Sequence, residues 1–566
     1  MLAAIVILIG VVVVSKVLRH MLAVAVMSMA VVFAFAIAPG TARAADTGAI
    51  TVDGTVATRY DAYQLFSATV VDDADADQKV ATDVAWANDT VRQAALPVLH
   101  DAGLDNSAST AQEAAEWMNA DGHMTTTLAA KLARAIYNAG APSVALNAGT
   151  TAELPCGYWL IVADDDAIAQ GEAGTAPIMA LVGGSAVTVK PKAATPKVAK
   201  HVLEDSTAAW QKAADATVAD DLYWRLSATV PAGLTAYDTY TVRFVDTMSA
   251  GLDPSKVAAS MRVYVAAGAD GGFDAVQSGK DGRAGTEPAK GWTDITAQCA
   301  TKVAADGTFT VRTGDLIAAL GGADAFTAGA RVVAVYNAPL NSACNHGIAK
   351  GNPNEVYLRY PRSPFADQSG DAGFTRTPSD DACAYTWDLA LTKRGSDGDK
   401  PLSGAVLSIA DDRGRTLAAD GTWDAEGKAT VTTGEDGRVT VSGVDSGMLE
   451  VRELKAPKGY TAFEGTRSVT VKAEGLDVDQ VAAAKPKLTI TAESPLRADS
   501  ADGSTGSLEA SLINTPTGTP PSITTGGFMP STGDMAMYAA AAAAVAGAAL
   551  IVVALLVKRG GGSHKE

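Results

Sequence analysis

Basic charge is scarce in this chain of 566 residues: 45 Lys and Arg stand against 63 Asp and Glu, a formal net charge of −18. That excludes nucleic acid as a partner, because phosphate needs a basic footprint. Cysteine is scarcer still. Four thiols, Cys156, Cys299, Cys344 and Cys383, are too few for a disulfide-dense scaffold. Three pairings of the four are open; Cys344 with Cys383 is the preferred one, with buried free thiols the alternative. The six histidines are scattered, with none paired at metal-ligand spacing, so no metal site is expected. No G-x-S-x-G and no phosphate-cradling glycine loop occurs, and no cofactor is expected. Asp73-Ala-Asp-Ala-Asp77 starts like a calcium loop, but the sixth-place glycine is missing and Val84 replaces the bidentate Glu. Aromatics are only 6% while glycines number 54, which favours many short elements joined by turns. Hydrophobic residues at 48% are enough for ordinary cores and exclude wholesale disorder.

The two ends fix the compartment. Apolar runs cover residues 2–14 and 21–38, separated by a stretch carrying Lys16, Arg19 and His20. A small-x-small site, Ala42-Arg43-Ala44, follows. This describes a secretory signal cleaved after Ala44, with the natural start at Met21 or a long leader as the two options. Residues 535–557 are apolar for 23 positions, long enough to span a bilayer, and Lys558-Arg559 follow as a cytoplasmic stop. Immediately before that span stands Met529-Pro530-Ser531-Thr532-Gly533.

Between the ends, three blocks are expected. Residues 45–192 combine strands (50–56, 60–71, 158–163, 178–182, 186–190) with Ala-rich helices at 83–102, 109–119 and 125–138. Residues 193–384 are mostly strands, among them 222–230, 239–246, 260–266 and 331–336. Residues 385–516 are all β, with strands at intervals of roughly 8–12 residues, the pattern of a sandwich. Residues 517–566 hold a Thr/Pro/Gly spacer, the five-residue motif, the span and a basic tail. The fold class is therefore mainly β: tandem β-sandwiches behind an α+β N-terminal block.

Strand parity selects the reactive candidates, because residues of equal parity share a face. Tyr385, Trp387, Leu389 and Leu391 share theirs with Lys393; Leu449 and Val451 with Glu453; Leu508, Ala510 and Leu512 with Asn514. A lysine, a glutamate and an asparagine each end an apolar face. The second block repeats the order. Val198 and Val202 share parity with Lys200; Tyr240, Val242 and Phe244 with Asp246; Val356, Leu358 and Tyr360 with Asn354. Burial lowers a lysine pKa and raises that of an acid. A neutral amine is a nucleophile and a protonated carboxyl can shuttle protons, so each trio could form a Lys–Asn isopeptide with loss of ammonia. The plain alternative is a set of strand-end residues reaching solvent. Asn352 rivals Asn354, and Lys197 rivals Lys200 from the opposite parity.

These residues carry a resemblance. Lys393, Pro401-Leu-Ser-Gly-Ala, Glu453-x-x-Ala-Pro-x-Gly-Tyr460 and Ile513-Asn-Thr-Pro516 resemble a Cna-B-type (SpaA-like) pilin domain, the Glu453 stretch being similar to the pilin E-box. Asp246-Thr-Met-Ser-Ala-Gly-Leu252 and Gly351-Asn-Pro-Asn354 are similar to the isopeptide-forming middle domain of backbone pilins. Tyr60-Asp-Ala-Tyr-Gln-Leu-Phe66 and Leu154-Pro-Cys-Gly-Tyr-Trp-Leu-Ile161 resemble their N-terminal domain. Met529–Gly533, followed by span and basic tail, looks like an LPxTG sorting signal with Met529 in the Leu position. Pro191-Lys192 resembles the pilin junction motif, with Lys190 where a Tyr is usual and Ala193 where an Asn is usual; Lys190 is the substitute acceptor.

The resemblance implies Ig-like and Cna-B-type sandwiches and a major pilin of a Gram-positive surface fimbria. Sortase would join Thr532 of one subunit to Lys192 of the next. Asp246 would assist a Lys200–Asn354 bond, and Glu453 a Lys393–Asn514 bond. Implied partners are sortases, copies of the chain, peptidoglycan, tip or base pilins and host surface ligands, at the cell wall. Such a subunit is structural, not an enzyme. The rivals are a wall-anchored adhesin that never polymerises and a wall-anchored enzyme; the sequence presents no catalytic His/Ser/Cys constellation for the latter.

Overall fold

The computed structural model describes residues 46–73, 78–120, 122–174, 176–191, 195–232, 234–268, 291–327 and 329–518. The signal region, Lys192, Met529–Gly533 and the apolar run at 535–557 lie outside the described residues. Among the described residues no helix is long and apolar enough to cross a membrane.

The N-terminal block is α+β. The long strand Arg59–Asp73 runs between Gln78–Trp86 and Gly157–Ala163, and Ile178–Val182 extends that sheet. A second, three-stranded sheet pairs Thr47–Val52 antiparallel with Thr151–Pro155 and parallel with Val187–Val189. Helices Asp89–Asp101, Ala111–Asn119 and Thr126–Asn138 bury Val91, Leu99, Met118, Leu132 and Ile136 in a core with Phe66 and Tyr158. Each helix starts at a polar cap. Asn88 accepts from the Val91 amide, Thr110 and Glu113 form a capping box, and Thr125 accepts from the Leu128 amide.

The expectation of a helix from residue 83 is corrected: 83–86 finish the strand Gln78–Trp86. Pairing with Phe66 and Ser67 satisfies that backbone, Trp86 packs 4.8 Å from the Phe66 ring, and the Asn88 cap sets where the helix begins. The strand expected at 50–56 ends at Val52.

The middle block is a two-sheet sandwich. In one sheet Val198–Glu204 and Arg331–Asn337 flank Tyr223–Thr229. In the other, Arg243–Met248 lies between Thr308–Arg312 and Asn352–Pro361, with Asp380–Tyr385 beyond. The strand expected at 239–246 begins later, at Arg243. Trp224, Leu226, Phe244, Phe309, Val356 and Leu358 fill the space between the sheets.

The last block is a second sandwich. Its first strand, Trp387–Gly395, lies parallel to its last, Ser507–Pro516, with Lys393 opposite Leu512. The facing sheet is centred on Val406–Ala410, Gly447–Lys455 and Thr466–Glu474. Trp387, Leu389, Leu391, Val451, Leu508 and Leu512 build its core, as strand alternation requires. Gly437 fixes the end of the lysine strand. Its φ is +72°, and a Cβ there would sit 2.7 Å from the Leu402 nitrogen and 2.9 Å from the Lys393 carbonyl oxygen. Its own carbonyl accepts the Lys393 amide at 2.8 Å.

Candidate isopeptide-forming sites

In the middle sandwich the expected trio comes together across the core. Lys200 and Tyr336 project from one sheet; Asp246 and Asn354 project from neighbouring strands of the other, with Met248 opposite Asn354 in the register. All four side chains are 0% exposed. The Lys200 amine is paired with Asp246 Oδ2 and lies 2.9 Å from the Tyr336 hydroxyl. That hydroxyl donates to Asp246 Oδ2 at 3.2 Å and accepts from Asn354 Nδ2 at 2.8 Å. Burial pulls the Lys200 amine down to about 8 and pushes the Asp246 carboxyl up to about 6, each opposed by the other's charge. Asp246 Oδ1 and Asn354 Oδ1 are buried acceptors without a partner. A proton on the carboxyl would convert one acceptor into a donor.

The last sandwich divides the same trio differently. Lys393 and Asn514 stand on adjacent parallel strands of one sheet, and Glu453 reaches across from the other. Glu453 Oε1 lies 3.5 Å from the Lys393 amine and accepts from Asn514 Nδ2 at 2.9 Å, while Oε2 accepts the Phe463 amide at 3.1 Å. Lys393 is fully buried, and Glu453 and Asn514 are 6% and 2% exposed. Burial lowers the Lys393 amine to about 8.

The shorter Asp246 neighbours Asn354 in its own sheet and meets Lys200 across the core; the longer Glu453 meets both of its partners across the core.

Chemically, both sites place an amine with a reduced hold on its proton beside a carboxylate and an amide. In the last sandwich one oxygen, Glu453 Oε1, touches nucleophile and leaving group alike. In the middle sandwich the Tyr336 hydroxyl stands between carboxylate and amide. Tyr336 is the site residue that sequence reading missed. Its signal was available: Val332, Ala334 and Tyr336 share a face, and a tyrosine hydroxyl ending an apolar face needs a buried partner.

A family model for a SpaA prealbumin-like fold domain matches residues 388–485. Residues 388–485 are thus SpaA-like. Lys393 and Glu453 fall inside the match, and Asn514 lies beyond it on the strand paired with the Lys393 strand. The trypsin-resistant surface T6 protein of Streptococcus pyogenes serotype M6 is 29% identical over 143 residues, covering 24% of this chain and 24% of that protein. The aligned stretch thus spans about a quarter of the curated relative's length. Among solved structures, the T6 backbone pilin of the same serotype is similar at 16% identity and a TM-score of 0.46, over 86% of this chain and 100% of that one. The major pilin SpaD of Corynebacterium diphtheriae is similar at 14% identity and a TM-score of 0.40, over 83% and 98%.

The rival residues have other work. Asn352 is buried, but its amide is saturated by Asn345 and the Ala384 carbonyl. Lys197 is exposed, and Lys190 is exposed with its amine 3.4 Å from Asp53. The expected Cys344–Cys383 bridge is corrected: neither sulfur is in a disulfide. Cys383 is buried beside Tyr385 with its sulfur on the Ala384 carbonyl, whereas the Cys344 sulfur faces His346, ahead of the SpaA domain. Among the described residues no cluster of His, Cys, Asp or Glu is arranged to hold a metal ion.

Proposed function

We infer that this protein is the structural backbone subunit of a covalently polymerised surface pilus. The observation that carries this reading is a buried Lys–acid–Asn trio in each of two successive sandwiches, the second in a SpaA domain. An isolated buried lysine costs several kcal/mol, so such a trio is retained where its chemistry is used. The neutral lysine amine attacks the asparagine Cγ, the amine proton passes through the carboxylate, and the departing amide nitrogen leaves as ammonia. Tyr336 relays the proton in the middle sandwich; Glu453 carries it directly in the SpaA domain. The product, a neutral amide, removes the buried charge and ties strands that are distant in sequence.

Polymerisation runs through the sorting signal. Sortase cleaves after Thr532 and transfers its carbonyl to Lys192 of another copy, or to peptidoglycan at the end of assembly. The three-part C-terminal signal and the Pro191-Lys192 junction support this part of the reading. The test is the intact mass of the full chain produced without sortase. Each Lys–Asn bond removes one ammonia, about 17 Da. Loss of two ammonias is expected, and a mass equal to the sequence overturns the isopeptide assignment. Co-expression with a sortase then separates pilin from adhesin: a ladder of multimers that disappears in Lys192→Ala is expected, and its absence in the wild type favours the unpolymerised adhesin.

A further inference from the structure

The loop that leads from the middle sandwich to the SpaA domain carries a second reactive cluster, unconnected with either trio. The Cys344 sulfur lies 3.6 Å from His346 Nε2, and His346 Nδ1 lies 2.8 Å from Asp388 Oδ1. Thiol, imidazole and carboxylate are thus in line. Asp388 belongs to the first strand of the SpaA domain and is itself fixed by the Gly443 amide at 3.2 Å. The loop is anchored against that domain by Gly347 N to Thr386 O at 3.0 Å and Ile348 N to Gly503 O at 3.2 Å. Asp388 and the sulfur hold His346 well above the ordinary imidazole range, at about 10. Cys344 is 9% exposed, and the His346 and Asp388 side chains open to solvent at 27% and 34%. The thiol is therefore buried beside a half-buried polar pair that opens to solvent.

We propose that Cys344 is a thiol–disulfide exchange site that takes up a low-molecular-weight disulfide, with His346 as the imidazolium that faces its sulfur and Asp388 as the group that positions His346. The thiol proton leaves to water beside the protonated His346. The thiolate attacks one sulfur of the incoming disulfide, the new S–S bond forms as the old one breaks, and the leaving thiolate takes a proton from His346, which regains one from water. One disulfide replaces another, so the electrons balance without an added oxidant. An imidazolium at this distance stabilises the thiolate as it forms.

Acyl transfer fits the site less well, because it needs free amides to hold an oxyanion. Four amides of the loop that carries the sulfur are already committed. Ala343 N donates to Asn341 Oδ1, Cys344 N to Asn341 O, Asn345 N to Asn352 Oδ1 and Gly347 N to Thr386 O. Exchange needs only the thiolate and a leaving thiol.

The other three cysteines supply the control within the same molecule. Cys299 is more exposed than Cys344, but burial raises its thiol to about 11, as it does that of Cys383. If access alone ruled, Cys299 would react first. The experiment exposes the full chain, folded, to glutathione disulfide at neutral pH, quenches with acid and maps glutathionylated peptides by mass. Cys344 is expected to react at least about tenfold faster than Cys156, Cys299 or Cys383. His346→Gln and Asp388→Asn should each slow Cys344 by about tenfold and leave Cys299 unchanged. A wild-type Cys344 no faster than Cys299 overturns the proposal, and so does an unchanged rate in both variants. The wild-type comparison decides even where a variant unfolds, an event recognised by all four thiols reacting together.

Discussion

Tyr336→Phe is the substitution that separates a proton relay from a mere cluster of buried polar groups. It deletes one oxygen and keeps the ring, whose edge contact with Phe309 at 4.8 Å maintains the packing. Lost with the oxygen are the bonds to Lys200 at 2.9 Å, Asn354 at 2.8 Å and Asp246 at 3.2 Å. Lys200 keeps Asp246. Asn354 Nδ2 is left as a buried donor stripped of that acceptor, a loss of about 1–3 kcal/mol. That interaction also orients the amide for attack and stands where the leaving nitrogen takes its proton. At about 1.4 kcal/mol per tenfold in rate, the Lys200–Asn354 bond should form about 5-fold to about 150-fold more slowly. The Lys393–Asn514 bond, which uses no tyrosine, should be unaffected. The assay refolds chain made unfolded in denaturant and follows ammonia loss by mass, with peptide mapping to assign each crosslink; near-ultraviolet circular dichroism checks that the variant has folded. If both crosslinks of Tyr336→Phe appear at wild-type rates, the relay is wrong and Asp246 must act on the amide directly.

Three further outcomes follow from the same geometry. Glu453→Gln keeps a side chain able to reach Asn514 but removes the proton acceptor, so one ammonia should be retained and Lys393 should stay free on peptide mapping; a normal crosslink would remove Glu453 from its role. For the middle site, the reactive pair holds one proton between an acid near 6 and an amine near 8. Below about pH 6 both groups are protonated and above about pH 8 both are deprotonated, so the rate of Lys200–Asn354 formation on refolding should be bell-shaped, with its maximum near neutrality; a rate that climbs steadily with pH would show that only the free amine matters. Gly437→Ala forces a Cβ into a φ of +72° and against the Lys393 carbonyl, so a loss of about 1–3 kcal/mol is expected by denaturant titration. Its Lys393–Asn514 crosslink should also form more slowly, because the end of the lysine strand shifts; wild-type stability would mean that the turn relaxes freely.

The residues of both trios were legible because strand periodicity is local. Once Leu389 and Leu391 are assigned to a face, Lys393 must share it, and the same holds for Glu453 behind Leu449 and Val451, and for Asp246 behind Phe244. The capped helices 111–119 and 126–138 were legible for the same reason, since a Ser/Thr cap and an apolar stripe are written within a few turns. Residues 83–86, Asp-Val-Ala-Trp, misled because they run directly into a helical pattern, and the partner strand at 66–67 decided their state.

What parity leaves open is which face meets which. Only the tertiary structure put Lys200 in the sheet opposite Asp246 and Asn354 but set Lys393 and Asn514 side by side in one sheet. It also brought Tyr336 to the middle trio from 90 residues beyond Asp246. It alone aligned Cys344, His346 and Asp388, the last of them 42 residues from the histidine and in the next sandwich. A strand's alternation is fixed by its own backbone, so the sequence determined which side chains are turned inward. The partners they meet there are set by sheet pairing and domain docking, which depend on contacts across the whole chain.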